Sequence, residues 1–351
     1  SRGGSEVVLA LAQRKGAPPV LPRTAKPMPM PMSEQQVSVP AHKPPSSRSD
    51  HSRILPSVIV DVASEYVSLV ERVLAGPDEE AETDLLRAGG YAMPAIMAKF
   101  PGPIAIEPER LEGAVLPRVA ECGPVIRLIA SQRRTALPFV LSHVQGADAE
   151  SRFWATYLLT ELVYPDAIDA AISRTFDEDT RVRRVARAAA RALAEAHPQP
   201  VVERLGEIAN TQSVVRRVQA IEALGETREP LAVPVLMPLL EDDVVVVVVA
   251  TRAALVVITQ QDFGRDTEKW LAWWDENRGR HRLEWLIDSL MHEQRALRGS
   301  ASEELRTITK EYFAYYDDLP KRERERAQAR YRDWWDNIGR VRFSRASTRG
   351  A

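Results

Sequence analysis

The sequence has few of the residues that build a chemical site or cross a membrane. Cys122 is the single cysteine among 351 residues, which excludes an internal disulfide framework and a cysteine-ligated zinc site. Aromatic residues make up only 6% of the chain. No hydrophobic run approaches the roughly 18 residues of a membrane-spanning helix. We therefore predict no membrane span, and the cysteine content favours a reducing, cytoplasmic setting.

The chain also lacks an excess of charge of either sign. Its 47 Lys and Arg residues oppose 49 Asp and Glu, giving a formal net charge of −2, so no global field attracts nucleic acid or an acidic membrane surface. Phosphate-binding glycine loops, a Gly-x-Ser-x-Gly elbow and a dinucleotide fingerprint are missing. The sequence thus predicts no catalytic residue, no cofactor and no small-molecule substrate.

The N-terminal part is rich in proline and poor in core residues. We predict a disordered linker over residues 1–56, because closely spaced prolines favour extended, solvated chain. Position 1 is Ser and no secretory signal follows, so we expect a fragment whose upstream domain is missing. Helical periodicity then begins near Ser57 and predicts an irregular helical cap over residues 57–122.

A recurring four-residue phrase organises the middle of the chain. Residues 182–185 read Val-Arg-Arg-Val and the same phrase returns 33 residues later at 215–218. A fixed period of this size predicts stacked helix pairs, which we place over residues 123–264. We expect Asp148, Asp179 and Asp243 to cap first helices of these pairs. Position in the repeat also predicts a helix over Val244–Thr259, although its six valines alone favour a strand.

The repeated segments resemble the short HEAT-like repeats of bacterial proteins first associated with phycobilin lyases. The resemblance lies in Asp179–Ala186 with Ala192-Leu193, in Val215–Val218 with Ala223-Leu224-Gly225, and in Ala232–Leu236 with Leu239–Asp242. It implies an all-α fold, a right-handed α-solenoid of HEAT-like helical repeats. Proteins with such repeats include scaffolds, adaptors and a minority of enzymes.

A second, longer repeat occupies residues 265–340 together with the helix before them. Leu255, Ile258-Thr259 and Phe263 match Leu305, Ile308-Thr309 and Phe313 at an offset of 50 residues. Trp270, Trp273 and Trp274 then correspond to Tyr331, Trp334 and Trp335, with about eleven extra residues in the second copy, 315–326. Rings at this spacing share one helix face, and we interpret them as packing elements rather than a ligand cage. Residues 341–351 are predicted to be a disordered tail.

Arginines at similar repeat positions are our candidates for partner binding. They are Arg183, Arg184, Arg216, Arg217 and Arg252, with Arg152 at a comparable place. Pairing with Asp177, Asp179, Glu241 or Asp242 of an adjacent unit is the structural alternative. If the side chains instead project unpaired from the concave surface, they would contact phosphates or acidic segments of a partner.

Two further groups of residues have functional and structural interpretations. His281, Glu284, Asp288 and His292 would fall on one helix face and could hold zinc or iron, but the same pattern is typical of a solvated face. The basic tail from Lys321 to Arg349, interleaved with aromatic residues, could bind an anion or nucleic acid. Alternating Arg and Glu in 322–326 favours an ordinary exposed helix instead.

These observations together predict a non-catalytic scaffold or adaptor that binds an unidentified protein partner. The first alternative is a nucleic-acid-binding HEAT-repeat protein that uses the arginine ladder and the basic tail, whose binding would weaken steeply with salt. The second is a lyase-type enzyme related to the phycobilin lyases, which the resemblance permits although no residue supports it.

Overall fold

The computed structural model describes residues 55–106 and 116–344. The chain divides into two units, Ser1–Ile59 and Val60–Ala351, and all packing described below lies within the second. Residues 1–54, 107–115 and 345–351 lie outside the described residues, and with them most of the predicted linker 1–56 and tail 341–351. Residues 55–56 and 341–344 are helical, contrary to those predictions, because each continues the hydrogen-bonded turns of the adjoining helix.

The described residues form helices and connecting turns, without a strand in those ranges. The α-helices are α1 Leu55–Ala75, α2 Glu79–Ala88, α3 Met93–Met97, α4 Pro124–Ser131, α5 Leu137–Val144, α6 Ala149–Leu158, α7 Ile168–Arg174, α8 Thr180–Ala196 and α9 Pro198–Ala209. They continue with α10 Val214–Thr227, α11 Val233–Leu236, α12 Val245–Thr259, α13 Thr267–Asn277, α14 Arg282–Ser289, α15 Arg295–Thr309, α16 Lys321–Trp334 and α17 Arg340–Ser344.

Consecutive helix pairs stack along the chain. The first helices α6, α8, α10 and α12 pack each against the next, and the second helices α7 and α9 pack alongside them. Helices α8, α10 and α12 each bury two or more alanines, and these small side chains let neighbouring backbones approach closely. At Gly225 in α10 an added Cβ would lie 2.9 Å from Ala254 Cα in α12. The predicted all-α solenoid of HEAT-like repeats is confirmed, while its handedness stays a prediction.

The valine-rich segment is helical, as its position in the repeat predicts. Helix α12 spans Val245–Thr259, and its N-cap is Val244. The prediction that Asp243 caps this helix is wrong, because Val244 is the N-cap and no side chain caps the first turn. Asp242 Oδ1 instead accepts a hydrogen bond from the backbone N–H of Val244 at 2.8 Å, before the helix begins. Asp148 and Asp179 do cap their helices, each accepting from backbone N–H groups of the first turn.

Two helical segments are short or interrupted. The segment after α10 consists of the 3-10 turn Pro230–Ala232, α11 and the 3-10 turn Met237–Glu241. Pro234 and Pro238 cause the break, since each lacks the N–H that an α-helix interior needs. Helix α3 has only five residues and ends four residues before Pro101.

The interior consists of two hydrophobic cores. The larger core runs from Leu69 to Trp285, and the smaller one from Leu283 to Trp335. Residues of α14 lie in both cores, so this helix joins the repeats before it to helices α15 and α16 after it. A buried ion-pair node lies beside this junction: Glu304 of α15 contacts Arg282 at 2.6 Å and Arg228 at 2.8 Å.

Candidate functional site

Three arginines of the repeats staple their own helix to the preceding turn. Arg152, Arg183 and Arg298 are each the fourth residue of a helix. The Nη1 atom of each donates to the two carbonyl oxygens five and six residues earlier, at 2.6–3.2 Å. Charged donors make strong hydrogen bonds to backbone oxygens, which otherwise need a partner at the end of the turn. These arginine staples are structural elements.

Two aspartates extend this arrangement, as the ion-pairing alternative predicts. Arg152 Nε donates to Asp177 at 2.9 Å, and Arg217 pairs with Asp242; each partner lies 25 residues further along. Asp177 also accepts from the backbone N–H of Asp179 at 3.0 Å. Burial acts to raise the pKa of Asp177, but the hydrogen bonds from Arg152 and from the backbone prevail and lower it. Both aspartates therefore hold the turn between repeats.

The remaining ladder arginines lie closer to solvent. Arg216 is exposed, with its guanidinium carbon 5.7 Å from the centre of the Phe176 ring. Arg252 forms a bidentate contact with Asp262 at 2.6 and 2.7 Å, which lowers the pKa of Asp262. Arg184 is half-buried. The five candidates are thus split: the guanidinium groups of Arg183 and Arg217 are engaged with the turns, whereas Arg216 and Arg252 reach the surface.

The four candidate metal ligands do not share a helix face. His281 is the N-cap of α14, and His292 lies beyond its end at Ser289. The imidazole of His281 accepts from the backbone N–H of Leu283 at 3.2 Å, and Glu284 accepts from His281 N at 3.0 Å. Together these contacts form a capping box. The expectation of one common face is wrong because the helix begins one residue after His281 and has only eight residues.

The other two members of that set contact different groups of the protein. Asp288 pairs with Arg280 at 2.7 Å and with Arg332 at 3.0 Å. His292 Nδ1 accepts from the backbone N–H of Gln294 at 3.0 Å. In the part of the chain that the structure describes, no three His, Cys, Asp or Glu side chains form a group that could hold a metal ion.

The tryptophan motifs pack inside the cores. Trp270 is fully buried, donates from Nε1 to Gly264 O at 3.1 Å, and packs edge-on against Phe263 with 4.9 Å between ring centres. Trp273 and Trp274 are partly buried against Trp285. In the second copy Tyr331 takes the place of Trp270 and lies 4.7 Å from Phe313, again nearly perpendicular. Their placement matches the packing interpretation.

Two adjacent first helices carry exposed valines. Val215 is in the first turn of α10, and Val245 and Val249 lie in the first two turns of α12; they are 58%, 68% and 62% exposed. Helices α10 and α12 pack against each other. We call these three residues the valine surface. Arg216 follows Val215 directly, so a cation borders the apolar side chains.

The C-terminal arginines mostly contact the protein itself. Arg332 and Arg340 reach Asp288 and Glu284 of α14 at 3.0 and 3.7 Å, and Arg342 reaches Glu311 at 3.2 Å. Arg322 and Arg326 are exposed on α16, which has the alternating charges of an ordinary surface helix. The predicted basic tail is therefore partly neutralised up to residue 344, where the described residues end.

A pocket of 490 Å³ lies at the C-terminal end of α15. It is lined by Arg306, Lys310, Glu311, Tyr312 and Tyr316. We call it the tyrosine pocket. A smaller pocket of 290 Å³ lies between α2 and α4, where Glu79, Glu82 and Gln132 are among its lining residues.

Comparison with known proteins supports the repeat fold. A family model of HEAT repeats matches residues 183–256, the segment that contains α10 and most of α8 and α12. No curated protein matches the chain. Solved structures that match include the crystal structure of an engineered protein from a structural genomics consortium, 16% identical, with a TM-score of 0.27 over 70% of this chain and 97% of that one. The similarity to HEAT repeats thus extends over residues 183–256 of the chain.

Sequence reasoning missed the arginine staples and the tyrosine pocket. The staples had a signal, since Arg152 and Arg183 follow their capping aspartates by four residues each. The pocket had a weaker one, because Tyr312 and Tyr316 are one helical turn apart in sequence but lie in a connection that is not helical. Among the helices that the structure describes, none is long and apolar enough to cross a membrane.

Proposed function

We propose that this protein is a non-catalytic scaffold that binds a protein partner through the valine surface. The observation that supports the proposal is the exposure of Val215, Val245 and Val249 on two packed helices. Contiguous apolar side chains on a protein surface are typical of sites that another protein covers. HEAT repeats, which match residues 183–256, present rows of parallel helices suited to such contacts.

The preceding repeat shows that an apolar residue at this position can be buried. In the register of the 33-residue repeat, Val215 of α10 corresponds to Val182 of α8. Val182 is fully buried, whereas Val215 is 58% exposed. A helix needs no apolar residue at an exposed position to fold. The exposure of Val215 therefore favours a partner contact over a folding requirement.

Nucleic-acid binding is the alternative function. This function depends on the arginines of the repeats, but Arg183 and Arg217 are engaged with backbone oxygens, and Arg217 also with Asp242. The net charge of −2 also argues against nucleic-acid binding. The lyase-type enzyme finds no support in the described geometry. Bacterial origin and a cytoplasmic setting remain predictions from the sequence.

An affinity capture from cell extract tests the scaffold. The full chain is compared with the double variant Val245→Glu/Val249→Glu and with a control, Leu271→Glu/Ile338→Glu, whose exposed apolar residues lie on other helices. We expect the full chain and the control variant to capture one discrete protein that remains bound in a high-salt wash. The valine variant should not capture that protein. Capture of nucleic acid that washes off in salt would contradict the proposal, as would equal capture by both variants.

A further inference from the structure

We propose that the tyrosine pocket is a second binding site, which takes a short acidic peptide segment of a partner protein. The inference rests on the proposed function in one respect only, namely that the ligand belongs to a protein. The pocket lies at the C-terminal end of α15, whereas the valine surface lies on α10 and α12. It deepens the scaffold proposal by naming the chemistry of the recognised segment.

Two cations line the pocket at the end of α15. Arg306 lies in the last turn of α15, and Lys310 is its C-cap with φ 59°. Within residues 55–106 and 116–344, no ion pair or side-chain hydrogen bond engages either group. The arginine staples and the arginines of α17, by contrast, are occupied by carbonyls or carboxylates. Two unpaired cations lining one pocket can accept a carboxylate from a ligand.

The acidic residue that lines the pocket is already neutralised. Glu311 pairs with Arg342 of α17 at 3.2 Å. It therefore opposes an incoming carboxylate less than an unpaired glutamate would. The pairing also connects the pocket to the last described helix, so that α17 forms part of its support.

Two exposed tyrosines supply the apolar part of the site. Tyr312 and Tyr316 are 49% and 56% exposed, and their rings meet nearly perpendicularly with 6.2 Å between centres. Tyrosine offers a broad apolar surface with a hydroxyl at its edge and little conformational entropy to lose, which makes it frequent in peptide-binding sites. The pair could cover the backbone and aliphatic stems of a peptide while Arg306 and Lys310 contact its carboxylates.

The surroundings favour a peptide over a nucleic acid. Asp317 and Asp318 directly follow Tyr316, and both contact Arg295, at 2.8 and 3.4 Å. These contacts occupy Arg295, so only the two cations of the pocket would attract a continuous phosphate backbone, which gains affinity from many such contacts. A short segment with a few acidic residues needs no further cation along its path.

The corresponding positions of the first copy have neither the two cations nor the tyrosine. Arg306, Lys310 and Tyr312 align with Val256, Gln260 and Asp262 at the offset of 50 residues. Asp262 is engaged by Arg252, and Gln260 is buried. The cations and tyrosine are therefore not required by the shared packing of the two copies, which favours a role in recognition.

Selection from a displayed library of random twelve-residue peptides tests the site. The full chain is the bait, and selected peptides are then titrated against three proteins: the wild type, Arg306→Ser/Lys310→Ser, and the control Arg322→Ser/Arg326→Ser, which removes the same charge outside the pocket. We expect enrichment of Asp and Glu in the selected peptides. Their affinity should fall about tenfold or more in the pocket variant, because two charge-assisted contacts are lost, and change little in the control.

Several outcomes would overturn the proposal. Selected peptides without acidic enrichment, or acidic peptides that bind the two variants equally well, contradict the site. Binding of a ten-residue oligothymidylate that is lost in the pocket variant, with no peptide selected, would assign it to nucleic acid instead. Should the serine variant lose its circular dichroism spectrum, Tyr312→Ala/Tyr316→Ala removes the aromatic half of the same pocket. Partner capture through the valine surface does not depend on these results, so the two proposals fail separately.

Discussion

The two copies of the C-terminal repeat agree in their buried contacts and differ on their exposed sides. Thr259 Oγ1 donates to Leu255 O at 2.7 Å and Thr309 Oγ1 to Leu305 O at 2.6 Å. Each hydroxyl also accepts from the backbone N–H two residues later, at 3.1 Å in both copies. The residue after each threonine has positive φ, 57° and 59°. The helix therefore ends in the same way twice.

Outside these contacts the copies diverge. Asp262 of the first copy is held by Arg252, while its counterpart Tyr312 is exposed beside two unpaired cations. The second copy also carries the extra residues 315–326. Because packing restricts only the buried half of a repeat, the exposed half can change without loss of the fold. The comparison identifies the outer side of the second copy as the part to examine for function.

Replacing the central ring of the first copy should have the largest effect on stability. Trp270→Ala removes a fully buried ring and its hydrogen bond to Gly264, and we expect a loss of about 4 kcal/mol in the free energy of unfolding. Tyr331→Ala should give a comparable loss if the copies are equivalent. Urea denaturation measures both, with the exposed neighbour Leu271→Ala as control. A small effect of Trp270→Ala would show that the copies are not built around the same ring.

Removing the negative charge of Glu304, beside the junction of the two cores, should lower the free energy of unfolding slightly less than Trp270→Ala does. The side chains of Glu304 and Arg282 are only 4% and 10% exposed, so Glu304→Gln leaves two arginines without their anion and should destabilise the protein by about 3 kcal/mol. Burial acts to raise the pKa of Glu304, but its contacts with Arg282 and Arg228 outweigh burial and lower the pKa below its usual 4.5.

The pH dependence of that variant follows from the lowered pKa. A carboxylate whose folded-state pKa is depressed stabilises the protein above its unfolded pKa, and the contribution disappears as pH falls through the folded pKa. The stability difference between wild type and Glu304→Gln should therefore be full at pH 7 and shrink below about pH 4.5. A difference that stays constant over this range would contradict the ion-pair explanation. Glu303→Gln, an exposed neighbour, serves as the control.

Equal losses in both copies are expected when the helix-ending threonines are changed. Thr259→Val and Thr309→Val keep the side-chain shape but leave the backbone N–H of Gln261 or Glu311 without its acceptor. We expect about 1–2 kcal/mol for each, measured by thermal and urea unfolding. Thr307→Val, whose hydroxyl is exposed, should change little. Clearly unequal losses in the two copies would break the proposed equivalence.

The smallest change in stability is expected when glycine replaces the left-handed residue that follows each threonine. Lys310→Gly relieves a left-handed conformation at an exposed position and should stabilise the chain by about 1 kcal/mol or less. Gln260→Gly relieves the same strain but removes a buried side chain, so we expect no gain there. Differential scanning calorimetry of both variants measures the contrast. A gain at Gln260 equal to that at Lys310 would contradict it.

The sequence predicts the solenoid well because the apolar period repeats along the chain. The caps Asp148 and Asp179 and the helical valines follow from position in that period. The prediction for Asp243 failed because the helix begins one residue later than expected, with Val244 as its N-cap. The apolar period also does not indicate the interruption at Pro234 and Pro238.

The candidate sites were harder to predict, since they depend on which side chains face each other. A pattern of arginines gives their helical positions but not the carbonyls of the preceding turn that Arg183 contacts. The face proposed for His281 and His292 assumed a longer helix than α14. The tyrosine pocket lies in a non-helical connection, where periodicity gives no information.

The arginine staples bear on how such a chain is assembled and how it evolves. The backbone acceptors of Arg152, Arg183 and Arg298 lie no more than six residues away, so each turn can close before any distant segment has arrived. Contacts of short sequence separation form quickly and carry little loop-closure entropy. A repeat with its own staple can therefore close its turn locally, and the arginine–aspartate pairs, such as Arg152 with Asp177, then connect that turn to the next repeat.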